Sequence, residues 1–329
     1  MWPFLLSKLN RPRLPHRPNT FSLASFPPAL QPGATIGITC PSGYVSHERV
    51  AHAVDVLQRW GFRVTLGSTV GSEHYYFSGT DELRLADLQA MLDDDGIDAI
   101  LAGRGGYGMS RIIDRLDFSR FAEKPKWVCG FSDITVLHSH LHAATGIPTI
   151  HGPMCGAFTP ETDGKPHLES LRRALSGAAM RYSAPPHAAN RLGEAEGILV
   201  GGNLAILAHL SGSRSQVDTR GKLLFIEDVG EYLYNVDRML LNLKRAGTLD
   251  ELAGLVVGSF TEGQDTERPF GQEVEQIIRD KVAEYDYPVC FGFPAGHGEV
   301  NYALRLGMPH RLAITEGYSV LSTEGLSTV

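Results

Sequence analysis

The stretch KWVCGFSDITVLHSHLHAA, residues 126–144, decides how the rest of the chain is read. It opens with an apolar run, 126–131, of the length of a buried strand. Ser132 and Asp133 break that run, and a helix is expected from Asp133 to about Ala144. Strand, sharp turn and helix in so few residues is the joint of an α/β sheet. Working upstream, the same unit repeats. ATIGIT (34–39) reads as a strand, and residues 46–60 as a helix with Ser46 as its N-cap. FRVTL (62–66) is a second strand. Thr80 opens another helix, with Leu85, Leu88 and Leu92 on one face. IDAILA (97–102) is a strand, and PTIHG (148–152) a short one. This alternation predicts a parallel sheet with helices on both faces, whose ligands gather at the carboxyl ends of the strands.

Downstream, the rhythm lapses between 161 and 195, where one helix (167–176) is followed by a small, polar, Pro-containing segment read as a linker. It resumes with GILVGGN (197–203), KLLFIED (222–228), GLVVGSF (254–260) and PVCFGF (288–293). YNVDRMLLNLKRAG (234–247) is a helix with Val236, Met239, Leu240 and Leu243 on its apolar face. RLAIT and YSVLS form a closing hairpin. The expected organisation is an extension at 1–31, poorly ordered; an N-terminal domain at 32–160; a linker at 161–195; and a C-terminal domain at 196–329.

The chain has 329 residues, 43% of them hydrophobic and 20% charged, with a net charge of −7. That balance supports a sizeable core and argues against a nucleic-acid partner, for which a basic patch is expected. No run approaches the ~20 apolar residues of a membrane span, and WPFLL is too short for a signal-peptide core. Cys40, Cys129, Cys155 and Cys290 share no CxxC spacing and read as buried, reduced thiols. The expected setting is the cytoplasm.

Several residues bear possible chemistry. Ser132 sits where free N–H groups of a helix start can hold an oxyanion, although judged alone it or Asp133 reads first as a cap of that helix. GRGGYG (103–108) lacks the spacing of a phosphate loop; its bare amides either face a reacting carbonyl or make a plain turn. Glu227 ends the apolar strand LLFI, as a triad acid or as a solvated loop acid. His297 lies between two glycines, reachable as a base. His138 and His142 have the i, i+4 spacing of a metal pair, but no third ligand is evident. Asp93–Asp95 reads as a solvated helix end.

Taken together, six blocks resemble the LD-carboxypeptidases (muramoyltetrapeptide carboxypeptidases), a family that includes the microcin C immunity peptidases. They are GRGGYGMSRIID (103–114), GFSDITVLH (130–138), LVGGNL (199–204), LLFIEDVGE (223–231), DRML (237–240) and FGFPAGHGEVNYALRLG (291–307). The resemblance spans about Gly33 to Leu321. It implies an α/β protein with a Rossmann-like or flavodoxin-like N-terminal domain and a β-rich C-terminal domain, commonly in a homodimer. It implies a serine peptidase needing neither cofactor nor metal, with Ser132 as nucleophile, Glu227 as the orienting acid and His297 as base. The implied reaction releases terminal D-alanine from a peptidoglycan stem tetrapeptide. Backbone amides of Asp133 and Gly106 are the expected oxyanion donors, and Arg104 the expected partner of the substrate carboxylate. One departure stands out: where the family often carries Pro-Tyr-Arg, this chain has Leu233, Tyr234 and Asn235. Two alternatives stand beside this reading. One is an immunity-type peptidase cutting a peptidyl-nucleotide, with Tyr232 or Tyr234 stacking on the base. The other is a binding protein that closes on a small ligand without chemistry.

Overall fold

In the computed structural model, residues 26–324 are described. Five strands of the first half, β1 (Thr35–Thr39), β2 (Arg63–Leu66), β3 (Ala99–Ala102), β4 (Trp127–Gly130) and β5 (Thr149–His151), run parallel. Helices α1 (His47–Arg59), α2 (Asp81–Asp93), α3 (Met109–Ile112), α4 (Ser119–Glu123) and α5 (Thr135–Thr145) connect them. Strands β1, β3 and β4 are buried along their whole length, whereas β2 is largely exposed at the sheet edge. That difference is why β3 and β4 read as unbroken apolar runs. Ser46 and Thr80 cap α1 and α2, accepting from the amides of Arg49 and Leu83.

Then follow α6 (Pro166–Leu175), β6 (Arg181–Ala184), β7 (Gly193–Asn203), α7 (Leu204–Leu210), β8 (Leu223–Val229), α8 (Leu233–Arg245), β9 (Gly254–Thr261), α9 (Val274–Lys281), β10 (Val289–Cys290), β11 (Leu304–Leu306), β12 (Pro309–Ile314) and β13 (Ser319–Ser322). They form a second sheet in the order β10-β9-β8-β7-β12-β13-β6. Its β10-β9-β8-β7 half is parallel and its other half antiparallel. The long strand β7 joins the two halves, pairing with β12 through 193–198 and with β8 through 199–203.

The first sheet has the order β2-β1-β3-β4-β5, the flavodoxin-like arrangement, with β11 added antiparallel at the far edge. In that order the chain reverses direction between β1 and β3, and the loops after these two strands diverge to leave a crevice. The α/β architecture read from the sequence is the one observed.

Three expectations need correction. Residues 161–195 are not a plain linker: α6 packs its apolar face into the core shared by both halves, and β6 is an edge strand of the second sheet. β11 belongs by sequence to the C-terminal half but by hydrogen bonding to the first sheet. Of the 1–31 extension, residues 1–25 lie outside the described residues, whereas 26–31 are tied down. Leu30 is buried and donates to Leu175, and Trp127 Nε1 donates to the carbonyl of Pro28 at 2.9 Å.

Candidate active site

Ser132 follows β4 directly, and its backbone has φ +62, a conformation that side-chain-bearing residues seldom adopt. The strand therefore ends in an elbow that projects the side chain away from the sheet. Neither Ser132 nor Asp133 caps α5, which has no side-chain cap, so the capping reading falls. Gly105 is what makes room for the elbow: a Cβ there would lie 2.8 Å from Ser132 Cβ. The GRGGYG loop thus rides against the serine.

Asp133 has a part that the sequence did not disclose. It is buried, and its Oδ2 accepts from Ser42 Oγ at 2.6 Å and from the amide of Met109 at 2.8 Å. One carboxylate ties the turn after β1, the first residue of α3 and the elbow together. Burial raises its pKa, against the pull of the Ser42 bond. Arg104 is exposed and donates from Nη1 to the Tyr44 carbonyl at 2.9 Å. It lines a cleft of about 490 Å³ with Tyr44, Val45, Phe131 and Met154, at the crevice between the β1 and β3 loops.

Glu227 comes from the other sheet. It stands near the end of β8, at a bulge where the register with β9 shifts between Ile226 and Asp228. A bulge re-aims a side chain. The carboxylate is fully buried, and Oε2 accepts from His297 Nδ1 at 2.6 Å and from the His297 amide at 3.2 Å. His297 lies on the loop after β10. Hydrogen bonds hold that loop: the Gly296 amide donates to Asn301 Oδ1, and the Gly298 amide to Ser259 Oγ, both at 2.8 Å. Burial lowers the His297 pKa, but the hydrogen bond and charge of Glu227 outweigh it, and the net shift is upward.

The two sheets meet here. The Phe131 ring lies 4.7 Å, centroid to centroid, from the imidazole of His297 and 5.6 Å from that of His151. The amide of Asn203, at the end of β7, donates to Thr135 Oγ1 at 3.1 Å, joining the second sheet to the first turn of α5. Glu227 and His297 are thus hydrogen-bonded, and the residue before Ser132 packs on the same imidazole. A direct Ser132–His297 hydrogen bond is not among those that the described residues make. Catalytic bonds of unliganded enzymes are often long and tighten on substrate.

Gly296 carries a sharp expectation. Its φ is +110, and a Cβ there would lie 2.6 Å from Glu227 Oε2. Gly296→Ala should cost about 1–3 kcal/mol of stability through backbone strain and displace the Glu227–His297 pair. Urea unfolding and turnover, measured together, check it.

The helix histidines are separately engaged. His138 Nε2 bonds the Gly130 carbonyl, His140 Nδ1 meets Ser215 Oγ, and His142 Nε2 faces Lys222 Nζ at 3.2 Å. Burial lowers the pKa of His138 and of His142 to about 4. Among the described residues, no group of three His, Cys, Asp or Glu is placed to hold a metal. Tyr232 and Tyr234 stack on each other at 5.5 Å and are half exposed. Asp95 pairs with Arg120 on the surface.

Comparison with known proteins gives this geometry a context. The profile of the LD-carboxypeptidase N-terminal domain matches residues 36–152, and that of the LD-carboxypeptidase C-terminal domain residues 196–312. The chain is 36% identical over 304 residues to a probable murein peptide carboxypeptidase of Bacillus subtilis, covering 92% of this chain and 95% of that one. It is 31% identical to a murein tetrapeptide carboxypeptidase of Pseudomonas aeruginosa, covering 86% and 93%. The crystal structure of a muramoyltetrapeptide carboxypeptidase from Oxalobacter formigenes superposes with a TM-score of 0.81 at 29% identity, over 88% of this chain and 98% of that one. With both domain profiles matched in order and relatives aligned over nearly its whole length, the chain belongs to the LD-carboxypeptidase family.

Proposed function

We propose that the protein is a serine carboxypeptidase that hydrolyses an L,D-amide bond, releasing the terminal D-alanine of a peptidoglycan stem tetrapeptide. The observation that carries this reading is the hydrogen bond between buried Glu227 and His297, with the residue before a positive-φ serine packed on the same imidazole. His297 Nε2 takes the proton of Ser132 Oγ as the oxygen attacks the scissile carbonyl. Glu227 fixes the tautomer, keeping the proton on Nδ1, and stabilises the imidazolium. The tetrahedral oxyanion is received by the backbone amides of Asp133 and Gly106, each worth about 3 kcal/mol of barrier. The Gly106 amide has no acceptor among the described residues, which suits that role. His297 then gives its proton to the leaving amine of D-alanine. Water attacks the ester, again with His297 as base. Arg104 meets the carboxylate of the leaving residue through charge-assisted hydrogen bonds.

The names of the curated relatives support the substrate, and the resemblance supports a homodimer. Four free, buried cysteines fit a reducing, cytoplasmic setting. No helix among the described residues is long and apolar enough to cross a membrane.

The test is the product set from a defined stem tetrapeptide, its all-L isomer and an aminoacyl-nucleotide amide. D-alanine and a tripeptide should appear from the first alone, and EDTA should leave the rate unchanged. Preferential cleavage of the nucleotide conjugate would favour the immunity-type activity instead. Light scattering of the purified chain reads the oligomeric state, for which a dimer mass is expected.

A further inference from the structure

The cleft beside Phe131 holds a second cation with no assigned work. Arg49 projects from α1 into the same lining as Arg104, and no Asp or Glu lines that cleft. The other walls include Tyr44, Val45, Ser46 and Met154. The neighbouring arginines of this half are mostly committed. Arg59 pairs with Asp163, Arg84 and Arg111 with Asp81, Arg115 with Glu82, and Arg120 with Asp95. Among the described residues the Arg49 guanidinium has no acceptor; only its backbone amide is bonded, to Ser46. Its position is nonetheless defined. A Cβ on Gly156 would lie 3.1 Å from Arg49 Nε and 3.2 Å from Nη2, so the guanidinium lies close over the backbone of the 155–157 turn. Two guanidinium groups on one small cleft, with an otherwise uncharged wall, fit a carboxylate carried on a short residue.

We propose that Arg49 is the specificity-determining residue that, with Arg104, captures the C-terminal carboxylate of the leaving amino acid and restricts cleavage to the last bond. This rests on the carboxypeptidase reading of the same site. The physical reason is reach. An enzyme that removes one residue needs a fixed positive charge one residue beyond the scissile carbonyl. A carboxylate one residue further along lies about 3.5 Å beyond that point, and an amide-capped end offers no charge. Arg104 has already given Nη1 to the Tyr44 carbonyl. Arg49 brings a whole unengaged face, able to take both carboxylate oxygens at once.

The experiment compares kcat/KM for the stem tetrapeptide and for the same peptide with a C-terminal amide, using wild type, Arg49→Ala and Arg49→Lys. Wild type should prefer the free acid. Arg49→Ala should lose about 10- to 100-fold on the acid, the scale of one charge-assisted interaction, and change little on the amide, so that the preference collapses. Arg49→Lys should retain part of the preference, since the charge remains but the planar fork is lost. Equal losses on both substrates, or an acid preference left intact in Arg49→Ala, overturn the proposal while leaving the carboxypeptidase reading standing. A wild type that cleaves neither peptide overturns that reading and this proposal together.

Discussion

Ser132→Ala should lower kcat on the stem tetrapeptide by roughly 10⁴- to 10⁶-fold, with the protein still folded. The expected loss is large because, in the proposed mechanism, the hydroxyl is the attacking atom and no neighbouring group replaces it. What should remain is the catalysis that the proposed oxyanion donors, the amides of Asp133 and Gly106, together with binding, would supply to water. Alanine keeps the same backbone requirement as serine, so its unfolding free energy should be close to that of wild type. Ser132→Gly makes the complementary point. Glycine adopts φ +62 without strain, and its unfolding free energy should rise by about 1 kcal/mol while turnover is equally lost. A stability gain paired with loss of activity would mark the elbow as strain held for function. Urea unfolding and steady-state kinetics on the two variants read both halves of this expectation.

Glu227→Gln is the second large effect, expected at about 10⁴-fold in kcat. The substitution changes almost no volume, and Glu227 is fully buried, so packing should survive. What changes is the proton on the ring. A carboxylate that accepts from His297 Nδ1 leaves Nε2 bare, the atom proposed to take the serine proton. A glutamine that turns its NH₂ toward Nδ1 favours the tautomer with the proton on Nε2, where it blocks the base. The pH profile carries an independent sign. The pKa of His297 is raised above 6.5, and only neutral imidazole can act as base, so wild-type kcat/KM should fall as pH drops through that raised value. Removing the Glu227 charge leaves burial as the main influence on His297, which lowers the pKa. The acid limb of Glu227→Gln should therefore move to lower pH, even as its plateau drops. An acid limb that stays in place would mean that Glu227 is not what holds the proton on His297.

The central strands of the first sheet were legible because both their faces are buried, so β3 and β4 spell themselves as apolar runs. Ser132, Glu227 and His297 were legible as residues at strand ends and on a glycine-flanked loop, but their grouping in one site was expected only from the six-block resemblance, not from local spacing. It depends on the long β7, on the bulge opposite Glu227 and on the Asn203–Thr135 contact. None of these leaves a periodic trace. β11 escaped for a related reason. Three residues, LRL, carry no pattern of their own, and their partner β5 lies some 150 residues away in sequence. Asp133 was read either as a side-chain cap of its own helix or as a backbone oxyanion donor. Its side chain instead binds Ser42, 91 residues away, and Met109, and no local spacing encodes that. β6 was hidden because its four residues, RYSA, lie in a small, polar stretch and pair only with the far strand β13.

The most direct measurement is active-site titration with a fluorophosphonate, its adduct mapped by peptide mass spectrometry while residual turnover of the tetrapeptide is followed. Inactivation should rise in step with phosphonylation of Ser132, and His297→Ala should resist the reagent. Full turnover by protein whose Ser132 is completely modified, or inactivation that tracks a label on another residue, would contradict the nucleophile and the acyl-enzyme route that depends on it.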